Sequence, residues 1–351
     1  MPNWCHNRYA VKGKMGALIQ FKSWIEGLYP TPRYHLAMGH SKKFFILGAT
    51  GYFLPTHFPA KPSAFAILTP WSVGEPTMEN QAYTEWLTML STDGFELNDE
   101  NSRRISNLFY TAGGHFITWD DLTIEQQQMA EAIMFTQSYD WYDNWRSNLD
   151  VEKHFNAEPD VPEMGLPGDL YAVLPPLLEP MLNGFNGHLT GDRRIDFTAK
   201  NAYTMNVNRY GTKWPRLHDA HVEIHTETEA SMDVQSAWSP VSDEADIAMM
   251  DKFGFELMSH RFIEEGCAFA GYRDYESIAG KADLVDYADD MLEMDWKEED
   301  KKKYGDNDEA LWDNCEQIVV SPDYVKDIYD DTKKLSGLIG IMACNELEKK
   351  E

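Results

Sequence analysis

Apolar positions along this chain change period several times, and each period predicts an element. From Trp4 to Val11 the residues alternate, with Tyr9 and Val11 on one side and Gly13 after them, which predicts a strand. Leu18, Phe21 and Ile25 then recur at helical spacing, Trp24 widens the stripe, and Gly27 stands before Pro30 where a C-terminal cap belongs. Between Tyr29 and Gly74 the pattern breaks up, and KKFFILGATGYFLP and SAFAILTPWS both read as strand pieces. The span from Glu75 to Phe155 reads as helical. Asn80 to Leu90 forms one segment, and Thr123-Ile124-Glu125-Gln126 is a capping box that opens another running to Gln137. Its continuation, SYDWYDNW, crowds Tyr139, Trp141, Tyr142 and Trp145 together, as a core-facing helix does and as the wall of a planar-ligand pocket also does. Residues 156–192 are rich in Pro and Gly and read as a connector with one short strand at Leu170 to Leu174.

Alternation returns after Asn201. Tyr203, Met205 and Val207 suggest a strand, His221 to His225 another with Val222 and Ile224 inward, and Met232, Val234 and Ser236 a third that closes a hairpin across TETEAS. Ser239 or Ser242 caps a helix in which Ile247, Met250 and Phe253 repeat, with Pro240 in its first turn and Gly254 at its end. A strand from Phe255 to Phe262 follows. The order β-α, a long excursion, then β-β-α-β predicts an α+β fold with a ferredoxin-like split βαβ core, in which the first strand pairs with strands far along the chain. The expected organisation is residues 1–28 as the first strand and helix, 29–200 as a mostly helical insertion, 201–275 as the rest of the core, and 276–351 as an acidic helical extension. In that extension Leu284, Tyr287, Ala288, Met291 and Leu292 fit a helical stripe, and Ser321-Pro322-Asp323 starts another helix.

Charge changes the picture more than bulk composition does. The formal net charge is -27, yet residues 1–74 hold eight basic side chains against one acid, Glu26, while residues 281–351 hold 21 acids against 10 bases. Such a field disfavours direct contact with nucleic acid or an anionic membrane and favours basic partners, although acidity also serves solubility. No apolar run reaches the length that spans a bilayer, and MPNWCHN has no leader character, so the expected location is a cytoplasm. Cys5, Cys267, Cys315 and Cys344 show no CxxC spacing and read as reduced thiols.

Two constellations carry candidate chemistry. On a strand, His221, Glu223 and His225 share a side and present two imidazoles and a carboxylate to a metal; the same residues are also ordinary on a solvent-facing strand. Lys213 and Trp214, with Trp238 and Ser239 on a neighbouring strand end, suit an anionic or planar ligand, or else a covered tryptophan beside a helix cap. GHLTGDRR lacks the GK[ST] of a phosphate loop, and no nucleophile elbow is present.

Four motifs in order carry a resemblance: Asn3-Trp4-Cys5 with Asn7 and Gly13, then Gly211-Thr212-Lys213-Trp214, then Ala237-Trp238-Ser239-Pro240, then Glu265-Gly266 with Phe269-Ala270-Gly271. Together they resemble the Api92-like and YubB-like proteins of phages and conjugative plasmids. The resemblance implies a ferredoxin-like domain at residues 1–27 and 201–271 and brings no catalytic residue or cofactor with it. It also implies an insertion, because the family's aromatic run leads directly into GTKW whereas here Trp145 and Gly211 stand far apart. The resulting expectation is a non-enzymatic phage or plasmid accessory protein that binds a basic surface on a host protein, as a DNA-mimicking anti-defence inhibitor does. Its candidate contacts are Lys213, Trp214, Trp238, Asp289, Asp290, Glu293 and Asp295. The alternatives are an enzyme or nucleotide binder using the Trp214/Trp238 cleft or a His221/Glu223/His225 metal site, and a scaffold that forms homo-oligomers.

Overall fold

The computed structural model describes residues 3–59, 65, 72–144, 148–159, 161–185, 201–264, 266, 269–305 and 317–320. The first elements are β1 (Trp4–Lys12), α1 (Met15–Ile25), α2 (Tyr34–Ala49), α3 (Met78–Leu90), α4 (Asp99–Thr111), α5 (Ile124–Thr136), α6 (Ser138–Tyr142), α7 (Val151–Asn156), α8 (Leu178–Asn183) and α9 (Ala202–Tyr210). They are followed by β2 (His218–Ile224), β3 (Glu229–Ala237), α10 (Asp243–Phe253), β4 (Leu257–Glu264), β5 (Phe269–Ile278), β6 (Lys281–Met291), β7 (Glu293–Trp296), α11 (Glu298–Tyr304) and β8 (Gln317–Val320). The chain divides into two compact units. Unit 1 comprises Met1–Tyr29, Leu166–Leu174 and Asn208–Glu351, and unit 2 comprises Pro30–Gly165 and Pro175–Val207.

Unit 1 is built on an antiparallel six-stranded sheet in the order β2-β3-β1-β4-β5-β6. Its first four strands, with α1 and α10 as the crossovers, have the ferredoxin-like arrangement, and β5 and β6 extend the sheet beyond it. β1 lies in the middle, pairing Trp4 with Ala237 and Lys12 with Glu229 on one side, and Tyr9 with His260 on the other. Odd positions of β1, from Cys5 to Val11, are buried. α1 buries Leu18, Phe21, Trp24 and Ile25, at about 1.5–3 kcal/mol each. Phe21 meets Phe253 of α10 and Phe255 edge-on at 5.4 and 5.2 Å. Ser242 caps α10 by accepting from the Ala245 amide, and Gly254 ends it with φ 69°. Pro240 therefore precedes the cap and is not in the first turn.

The regular elements described in unit 2 are helices, joined by loops and one isolated bridge between Glu96 and Leu177. The Thr123/Gln126 capping box forms in both directions and opens α5. Phe44 of α2 lies against Trp86 of α3, stacked at 5.2 Å, and against Phe109 of α4, edge-on at 5.4 Å.

Four expected elements differ. Phe44 to Leu47, expected in a strand, lie in α2, where the unbroken buried run Phe44–Ala49 hides the helical period. Tyr203, Met205 and Val207 lie in α9, where Met205 is buried and Tyr203 and Val207 are exposed. Leu170–Ala172 is a 3-10 turn rather than a strand, capped by Asp169 accepting from the Tyr171 amide. Leu284, Tyr287, Ala288 and Met291 lie in β6, so this part of the acidic extension is a strand and not a helix; pairing along β5 outweighs its helical stripe. The helix expected from Ser321, Trp145, the GHLTGDRR segment, most of SAFAILTPWS, Glu265, Cys267, Cys315 and Cys344 fall outside the described residues.

Candidate interaction surface

Three places in unit 1 gather chemically active side chains. The first is the end of the sheet where β1 starts and β3 finishes. Trp4 packs on Trp214, with ring centroids 6.5 Å apart, and on His218 at 4.9 Å. The Lys213 ammonium lies 5.2 Å from the Trp214 ring. Gly211, at φ 74°, lets the chain pass so close to the Pro240 carbonyl that any side chain there would collide with it. Thr212 Oγ1 donates to the Ala237 carbonyl at 2.9 Å and ties this loop to β3. Trp238 also has a left-handed backbone, φ 74°, which costs a non-glycine residue of order 1–2 kcal/mol. Its amide donates to the Asn3 carbonyl at 2.9 Å. Trp214 and Trp238 are both partly exposed, but among the described residues no ring contact joins them. Trp214's ring partner is Trp4.

The second place is buried behind α10. Asp246 Oδ1 accepts from the Tyr9 hydroxyl at 3.0 Å, and Oδ2 accepts from the Tyr275 hydroxyl at 3.0 Å and lies 2.7 Å from His260 Nδ1. His260 Nε2 lies 3.0 Å from Asn7 Oδ1. Asn7 Nδ2 donates to the Cys5 carbonyl and to Ser236 Oγ, which in turn donates to the Ser239 carbonyl. Because a carbonyl only accepts, these bonds fix the Asn7 amide with its oxygen toward His260, so Nε2 must carry a proton. A second proton lies between Nδ1 and Asp246. Burial pushes the imidazole down while Asp246 pulls it up, and burial holds the Tyr9 hydroxyl well above its ordinary range. The geometry looks like an acid-base dyad, but Asp246 and His260 are both 0% exposed and Asn7 closes the far nitrogen, so no substrate atom can reach it. Burial likewise pushes the neighbouring Cys5 thiol up, which removes it as a nucleophile.

The third place is β6, the last strand of the sheet. Asp283, Asp286, Asp289 and Asp290 are all exposed, as are Val285, Tyr287 and Met291. Among the expected contact residues, Asp289 and Asp290 therefore share this strand, while Glu293 and Asp295 belong to β7, which pairs with β8 in a separate two-stranded sheet.

Of His221, Glu223 and His225, only the last two approach each other, with His225 Nδ1 3.8 Å from Glu223 Oε1. His221 pairs with Asp233 and Glu223 with Ser231, while His225 lies past the end of β2 with Nε2 2.8 Å from Ser231 Oγ. Among the described residues, no three His, Cys, Asp or Glu side chains are grouped to hold a metal. The sequence reading missed the Asp246 network. Its signal was present: an aspartate beside Ala245 on the inward side of a helix, and a histidine on the same side of β4 as Met258 and Phe262.

The sequence profile of the family described as "Protein of unknown function (DUF1281)" matches residues 31–214, just over half of the chain. The chain belongs to the DUF1281 family. An uncharacterized protein of Escherichia coli strain K12, YubB, is 28% identical over 132 residues, covering 37% of this chain and 81% of YubB. The crystal structure of api92 from Yersinia pseudotuberculosis, described with the same family, superposes with a TM-score of 0.70 at 21% identity, covering 83% of this chain and 98% of api92. That likeness establishes a shared fold, consistent with the motifs at Asn3-Trp4-Cys5 and Gly211-Thr212-Lys213-Trp214. Those motifs shape the sheet end: Gly211 allows the close chain crossing, Thr212 pins it, and Trp4 and Trp214 pack together above it. No described helix is long and apolar enough to cross a membrane.

Proposed function

We propose that this DUF1281 protein is a non-enzymatic accessory protein of a phage or conjugative plasmid that acts by binding a host protein with a basic surface. The observation that carries the reading is β6, an edge strand whose aspartates are exposed next to exposed aromatic and apolar side chains. Aromatic and methionine side chains are enriched in protein interfaces, and a field of one sign steers an oppositely charged partner. The test is affinity capture from host lysate. Partners should be held at about 50 mM salt, where screening is weak, and shed as salt rises. Retention of nothing at low salt, or of the same proteins by a chain with its β6 aspartates neutralised, overturns the proposal.

A second reading rests on the Trp4, Trp214 and His218 rings with Lys213, which together suit a planar anionic ligand such as a nucleotide. A nucleotide panel that raises the melting temperature of the native chain but not of Trp214→Ala would favour it.

A further inference from the structure

We propose that β6 is an open docking edge that accepts an extended, lysine- or arginine-rich segment of a partner protein as a seventh strand of the sheet. The inference rests on the binding function proposed above and specifies where and how the partner sits. β6 is 11 residues long and pairs with β5 from Lys281 to Met291, an edge of about 35 Å. No described strand pairs with its other side. Two of its amides already turn to carboxylates: Ala282 donates to Asp251 Oδ1 at 2.8 Å, and Tyr287 to Oδ1 of its own neighbour Asp286 at 3.0 Å. The Asp286 bond is local, and the carbonyl of an incoming strand can replace it.

Charge selects the occupant. A second copy of this strand would set aspartate against aspartate, which is unfavourable, whereas a basic segment would place lysine or arginine beside Asp283 and Asp286 on one face of the sheet and beside Asp289 on the other. Charge alone would suit a strand that is merely protected from self-association. The sheet's other edge offers a contrast in length: β2 has seven residues against eleven in β6, while each carries one irregularity in its register, between His218 and His221 in β2 and at Val285 in β6. β6 instead exposes Val285, Tyr287 and Met291 at 40%, 64% and 75%. Such side chains add nothing to edge protection, but they provide anchors for an added strand, in which backbone bonds give affinity and side-chain contacts give specificity.

The experiment measures binding of the full chain to a short peptide of alternating lysine and threonine. Two controls accompany it: the same peptide N-methylated at alternate backbone positions, and one with glutamate in place of lysine. Fluorescence anisotropy reports affinity, and amide hydrogen exchange reports location. The unmodified basic peptide should bind and slow exchange along residues 281–291. The N-methylated peptide, with equal charge but lacking donors on one side, should bind at least about tenfold more weakly, and the glutamate peptide should not bind. Asp283→Asn with Asp289→Asn should weaken both basic peptides by similar factors. Equal affinity for the two basic peptides, or protection outside β6, overturns strand addition while leaving the basic-partner reading intact. Failure of every basic peptide to bind while lysate partners are still retained also overturns it. Loss of both peptide and lysate binding removes the two proposals together.

Discussion

One buried polar cluster in unit 1 and one in unit 2 are built in opposite ways. Behind α10 in unit 1, Asp246, His260, Asn7, Tyr9, Tyr275 and Ser236 answer one another atom by atom. In unit 2, His40 is 0% exposed, stacked 4.3 Å from the Phe109 ring and edge-on to Tyr110 at 5.1 Å, and neither of its ring nitrogens has a hydrogen-bond partner. The Tyr83 hydroxyl and His115 Nδ1 are also buried without one. An unmet buried group costs about 1–3 kcal/mol, whereas a met one contributes about 1 kcal/mol. Unit 1's network therefore stabilises through polar groups that are hard to remove singly, whereas His40 and Tyr83 in unit 2 are held by aromatic packing despite their unmet polar atoms.

The largest effect should follow from Asp246→Ala, which strands two tyrosine hydroxyls and an imidazole at once. A loss of about 3–5 kcal/mol is expected in urea denaturation. A loss below about 1 kcal/mol would mean the network is not acting as a unit.

Acid should distinguish the units next. Burial, then His115 and then Lys43, lower His40 from 6.5 to about 4. Since the folded value lies below the unfolded one, the neutral form is favoured by folding. Its stabilisation is complete above the unfolded value and is lost as pH falls toward 4, by up to about 3 kcal/mol. Lys43 repels the proton from α2, and His115 repels it from the segment after α4. Thermal unfolding between pH 7 and pH 4 should show this slope, and His40→Leu should reduce it, leaving the share of His35, which burial also lowers to about 4. An unchanged slope would remove His40 as the cause.

A pair of matched substitutions sharpens the contrast. Tyr275→Phe removes a hydroxyl that Asp246 needs and should cost about 1–2 kcal/mol, while Tyr83→Phe removes one that has no partner and should be neutral or slightly stabilising. Equal costs in calorimetry would erase the distinction. The smallest effect belongs to Ser259→Ala: its hydroxyl is unpartnered although it lies in unit 1. A change within about 0.5 kcal/mol would show that wiring matters and not the unit.

Much of unit 1 was legible because its elements have one wet side. α1 showed Leu18, Phe21 and Ile25 against polar neighbours, the β2-β3 hairpin alternated, and Ser242 and Gly254 bracketed α10. α2 was illegible because burial on nearly every side erases the period, and a short apolar run is compatible with strand or helix. In β6, Leu284, Tyr287, Ala288 and Met291 fit a helix as well as a strand; β5 decided between them, and pairing between strands is a tertiary fact. The candidate site divides the same way. Asp289 and Asp290 could be named from the sequence, but that they lie on an open edge depends on strand order. The Trp214/Trp238 pairing was expected from their places on neighbouring strand ends, and the structure gives Trp214 to Trp4 instead.

The central position of β1 has a consequence for synthesis. The strand that organises the six-stranded sheet is made before its partners, and Asn7 waits for Ser236 and His260, 229 and 253 residues later. At roughly 5–20 residues per second, that is a delay of order ten seconds or more. During it the apolar strand has no sheet to join, while most of unit 2 has already emerged. The last part of unit 1 to be made thus determines when its first part can fold, and a stalled or truncated chain would expose the future centre of the sheet.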